Sequence, residues 1–83
     1  MPTVLRHGRV RIVIFPADHR PAHVHVIGPD GEAIFNLNCP SGPCELRENY
    51  GLKTRTLNEI ERVINRHINE LCGAWEGIHG IAW

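Results

Sequence analysis

The chain has no surplus of charge, no long apolar run and no even set of cysteines. Nine Lys and Arg balance nine Asp and Glu, so the formal net charge is zero. That balance gives no general drive toward nucleic acid or an anionic membrane. No stretch approaches the ~20 apolar residues that a membrane span needs. Arg6 and His7 follow Val4 and Leu5 where a secretory signal would carry its apolar segment. Repeats, low-complexity tracts and linkers are also missing. Cys39, Cys44 and Cys72 are odd in number. The expectation is a soluble cytoplasmic protein with reduced thiols and no membrane contact. Cys39-x4-Cys44 lacks the Cys-x2-Cys spacing and a second pair, so it reads as two loop thiols rather than a metal site.

What is present is uneven. A chain of 83 residues makes one domain with a modest core. Residues 1–27 carry Arg6, Arg9, Arg11 and Arg20 against Asp18 alone, together with His7, His19, His23 and His25. The acidic groups concentrate in the remainder. Three histidines fall within the short segment His19 to His25, where His23-Val24-His25-Val26 alternates.

Alternation of this kind marks a β-strand, with the two imidazoles on one face and the two valines on the other. Strands are expected at about 9–15, 23–27 and 32–38, with a further edge strand at 44–49. Pro29-Asp30-Gly31 marks the turn between the second and third. If Ile27 pairs with Glu32, Val24 meets Phe35, Val26 meets Ala33, His25 meets Ile34 and His23 meets Asn36. A tighter turn shifts each partner by two and preserves the faces. One long C-terminal helix is expected at about 54–72, with Thr56 to Glu59 as a capping box. Leu57, Ile60, Ile64, Ile68, Leu71 and Trp75 form its apolar stripe, and His67 falls within that stripe as a core histidine. Arg66 and Glu70 are spaced to pair. The fold class is therefore α+β: an antiparallel sheet of three or four strands packed on one long helix. The helix covers the face of Val10, Ile12, Ile14, Val24, Val26, Phe35 and Leu37. The other face holds Arg11, His23, His25, Glu32 and Asn36 with Val13, Phe15, Ile27 and Ile34 between them.

His23 and His25 are the candidate catalytic pair, read as acid and base. Histidine titrates near neutral pH, and same-face strand neighbours stand ~7 Å apart. Arg11 and Arg20 are candidate anion contacts, and Asp18 and His19 supporting groups. The competing reading is two half-exposed strand histidines with no chemistry. Metal binding ranks below both, because the pattern shows no third ligand; no metal or cofactor is expected. The His-x-His-x-His motif of nucleotide hydrolases has Pro21 at its first position here. A cupin would need a nearby glutamate, a later histidine and many more strands.

Met1-Pro2-Thr3, Asp18-His19, Pro21-Ala22-His23-Val24-His25, Gly31-Glu32-Ala33 and the helix residues Ile64, His67, Glu70-Leu71 and Trp75 carry a resemblance. In these positions the chain resembles the small prokaryotic family catalogued as domain of unknown function 4160. The family usually has a second proline where Ala22 stands, and the cysteine loop and the tail after Trp75 depart from it. The resemblance implies a component of a toxin–antitoxin-like pair, associated with a cognate small protein; the expectation drawn for such a component here is action on RNA or on a partner protein. The alternative is a non-enzymatic binding module or homodimer that uses the histidine face.

Overall fold

A computed structural model describes residues 3–80 and Trp83. Met1 and Pro2 of the quoted opening, and Ile81 and Ala82 of the tail, lie outside the described residues. Five strands form one antiparallel meander in the order β1-β2-β3-β4-β5: β1 Thr3–His7, β2 Val10–Val13, β3 His23–Gly28, β4 Gly31–Asn36 and β5 Glu45–Tyr50. Two helices follow, α1 Thr54–Arg66 and α2 Ile68–His79. The α+β class holds, but the sheet has five strands rather than three or four, and there are two helices rather than one.

β1 escapes a period-based reading because it is short, lies at an edge and does not alternate. Gly8 permits the tight turn that follows it, with φ 61 in the left-handed region. β2 is shorter than expected because a local turn takes its end. The Phe15 N–H donates to Asp18 Oδ2 at 3.0 Å, and the Asp18 N–H donates back to Phe15 O at 3.0 Å. A backbone bonded this way is lost to the ladder. The β3–β4 register is the first of the two expected: His23 opposite Asn36, Val24 opposite Phe35, His25 opposite Ile34, Val26 opposite Ala33 and Ile27 opposite Glu32. β4 ends earlier than expected, before Asn38 turns the chain with φ 53.

The expected helix is broken at His67. Its backbone leaves helical geometry at φ −111 and ψ 22, and its N–H is shared between Val63 O and Ile64 O. His67 is half-buried rather than a core residue, and its Nδ1 bonds Glu70 Oε1 at 3.1 Å, a contact that displaces the expected Arg66–Glu70 pair. The capping box is not used either: Lys53 is the N-cap and no side chain caps the helix, which leaves Thr56 inside the first turn. After the break, α2 is tied to the loop behind β4 by the Cys39–Cys72 disulfide. This overturns the expectation of reduced thiols for those two residues. Cys44 is free and buried, and burial, then the nearby Glu61, pushes its thiol up to about 11.

The apolar face assigned to the core is the core. Ile12, Ile14, Val24, Val26, Phe35 and Leu37 are buried with Leu57, Ile60, Val63, Ile64, Leu71, Cys72 and Trp75 from the helices. Ile68, expected in the stripe, is only partly buried. Covering each large side chain in this way contributes roughly 1.5–3 kcal/mol. No described helix is long and apolar enough to cross a membrane.

Candidate metal and anion site

The β2–β3 connection places a carboxylate above two histidines. The Asp18–Phe15 turn folds Asp18 back over the start of β3. Its Oδ1 accepts from His25 Nε2 at 3.2 Å and lies 3.6 Å from His23 Nε2. The second separation is too long for a hydrogen bond. One ligand-type atom from each of Asp18, His23 and His25 lies within 4.8 Å of the other two.

The two histidines differ in setting. His25 keeps some exposure, and its ring meets Phe15 edge-on at 4.8 Å. His23 is buried, so the expectation of two half-exposed strand residues holds only for His25. The His23 Nδ1–H donates to Pro21 O at 2.9 Å, since a carbonyl can only accept. Its ring lies 5.4 Å from the Trp75 ring, which in turn lies 4.0 Å from His79. His79 Nε2 donates to Phe15 O at 3.1 Å. Helix α2 therefore closes the end of the sheet where β3 begins. The break at His67 and the disulfide allow it to do so, and no sequence period announces either.

Asn36 completes the surroundings. The Leu37 N–H donates to Ala22 O at 3.0 Å, so Ala22 and Leu37 occupy a hydrogen-bonded position of the ladder. His23 and Asn36, one step along, then form a non-hydrogen-bonded pair, the type whose side chains approach most closely. Asn36 Oδ1 is buried with no hydrogen-bond partner among the described residues.

The face opposite the helices is graded in charge. One row across it reads Arg6, Arg11, Ile27, Glu32 and Tyr50, each residue opposite the next. Arg6 and Arg11 stand directly opposed, and neither forms an ion pair or hydrogen bond within the described residues. Val13 pairs with His25, so Arg11 is the diagonal neighbour of His25. Arg20 and His19 are exposed in the loop and make no described contact with the cluster. Val13, expected to be open, is fully buried, while Phe15, Ile27 and Ile34 are partly covered. An open hollow beside Ile27, Pro29, Asp30 and Tyr50 lies at the hairpin tip, at the opposite end of β3 from His23.

A family model described as a domain of unknown function, DUF4160, matches residues 9–76. The chain belongs to the DUF4160 family. The matched span contains every member of the cluster, together with Arg11, Asn36 and Trp75, and ends just past Trp75. Comparison with curated proteins and with solved structures finds no match.

Proposed function

We propose that this DUF4160 protein is an RNA-directed component of a toxin–antitoxin-type pair. The Asp18–His23–His25 centre acts as one unit on a phosphate group that Arg11 and Arg6 hold. The observation that carries this reading is that Arg11, diagonal to His25 of the cluster, directly opposes Arg6, and neither arginine has an acidic partner among the described residues. Like charges directly opposite one another on a sheet are unfavourable, and a phosphate lying between them relieves the repulsion. Arginine suits such a group because its planar fork of donors matches phosphate oxygens. His23 and His25 both turn toward one carboxylate oxygen, which favours concerted action at one point over a separated acid and base. Arg20 would steady a flanking phosphate from the loop. The family resemblance supplies the cognate small protein.

The test is binding of a fluorescent single-stranded RNA by the purified chain at several salt concentrations, beside growth on expression with and without the neighbouring gene. Arg6→Ala with Arg11→Ala should weaken RNA binding and flatten its salt dependence. Absence of RNA binding by the parent chain would overturn the reading.

A second reading is a protein-binding or dimerisation surface without chemistry. Exposed Tyr50 on the edge strand β5, in one row with half-buried Ile27 and on the same face as half-buried Ile34, favours it. Sedimentation equilibrium separates the two: a concentration-dependent dimer that ignores RNA supports the second.

A further inference from the structure

We infer that Asp18, His23 and His25 form a binding site for one divalent first-row transition-metal ion. The site would stand whether or not the phosphate-bearing ligand is RNA.

The donor set comes first. Two imidazole nitrogens and one carboxylate oxygen suit zinc, iron, cobalt, nickel or manganese ions, whereas calcium and magnesium take oxygen ligands. Donors ~2.0–2.2 Å from a tetrahedral ion stand roughly 3.3 Å from one another. Asp18 Oδ1 lies 3.2 Å from His25 Nε2 and 3.6 Å from His23 Nε2, both close to that separation, and one ligand-type atom from each of the three residues lies within 4.8 Å of the other two.

The proton arrangement comes second. The bond from His23 Nδ1 to Pro21 O places a proton on Nδ1. In the neutral ring, Nε2 then carries a lone pair aimed at a carboxylate oxygen 3.6 Å away. A metal ion between these two electron-rich atoms would satisfy both. Metal-ligating histidines commonly donate the second ring N–H to a backbone carbonyl, as His23 does here. Asp18 is oriented in the same manner, because its other oxygen accepts the Phe15 N–H at 3.0 Å.

Asn36 supplies an independent observation. Its Oδ1 is a buried acceptor with no partner among the described residues, on the residue directly across from His23. Protein interiors rarely leave such an atom unsatisfied. Three protein ligands leave at least one coordination position open. A water in that position would have protons to donate, and Asn36 Oδ1, on the residue across from His23, would be the candidate acceptor. The same open position could take a phosphate oxygen steadied by Arg11.

Of the four remaining histidines, His19 is exposed in the loop and outside the cluster, and the other three have partners of their own. His7 bonds Glu59, His67 bonds Glu70 and His79 bonds Phe15 O. Cys44 is held protonated by burial and bonds Glu61 O.

The experiment is titration of the chelator-stripped full chain with Co2+, followed by visible absorption, and with Zn2+ by calorimetry. One ion per chain is expected, with Zn2+ displacing Co2+. Asp18→Asn and His25→Gln should each weaken binding by at least about tenfold while circular dichroism stays unchanged, and His7→Ala should bind as the parent does. Asn36→Leu should still bind the ion but shift the pH dependence of the Co2+ spectrum, because the bound water loses an acceptor. Absence of Co2+ or Zn2+ binding by the parent chain would overturn the proposal and leave Asp18 and the histidines a proton-bridged ion pair. Binding that survives both ligand substitutions would overturn it as well. Metal binding without RNA binding would defeat only the RNA reading.

Discussion

The Trp75 ring lies 5.4 Å from that of His23, so a core residue of α2 forms the wall of a candidate site that β3 carries. Trp75 is fully buried, and it also meets the His79 ring at 4.0 Å. Packing and chemistry therefore share one side chain. Trp75→Ala should cost about 3–5 kcal/mol, as expected for a large core aromatic. Trp75→Phe should keep most of the stability. If the wall matters for the site, Trp75→Phe will also shift the His23 imidazole signals in an NMR spectrum while leaving those of His7 in place.

The two faces of the helices should respond differently to truncation. Ile64 and Leu71 are buried, whereas Arg62 is exposed. Ile64→Ala or Leu71→Ala should cost about 2–5 kcal/mol, a large share of the total for a small domain. Arg62→Ala should change stability by under ~0.5 kcal/mol. Urea midpoints of the three variants check this, and equal midpoints for Ile64→Ala and Arg62→Ala would contradict the packing.

Removal of the Cys39–Cys72 bond should destabilise the chain through its unfolded state. The bond spans a sequence separation of 33, for which the chain-entropy model gives roughly 3–4 kcal/mol. Cys39→Ser with Cys72→Ser should lower the melting temperature and loosen α2, which carries Trp75. Mass spectrometry of the alkylated chain before and after reduction tests the pairing, with Cys44 expected as the lone thiol.

Cys44 gives a pH dependence of definite sign. Its thiol is raised from 9.0 to about 11 in the folded chain, chiefly by burial. A raised acid favours its protonated form in the folded state, so its contribution is fully present below pH 9.0 and fades as pH rises through about 11. The urea midpoint should fall across that window, and Cys44→Ala should fall less steeply. Identical slopes would show that Cys44 does not titrate as its burial requires.

The histidine pair should now respond asymmetrically. His25 is partly exposed and His23 is buried against Trp75. His25→Ala should leave the melting temperature nearly unchanged, while His23→Ala should lower it. Thermal unfolding by circular dichroism measures both, and equal losses would show that the two rings do similar structural work.

Local pattern in the sequence was enough for several of these features. The alternation of His23-Val24-His25-Val26 and the Pro29-Asp30-Gly31 turn narrowed the β3–β4 pairing to two registers with the same faces, because strand side chains alternate and a shift by two preserves them. The apolar spacing from Leu57 to Trp75 marked the buried side of the helices, with Ile68 as its exception. His23, His25 and Asp18 were visible as neighbours in the chain. Tertiary structure decided the rest. It turned Asp18 onto both imidazoles through the Phe15 turn, and it set Asn36 beside a histidine with an empty acceptor. It also broke the helix at His67, so that α2 could reach Cys39 and bury Trp75 against His23. Those contacts join residues far apart in the chain, and a period of two or 3.6 carries information only about near neighbours.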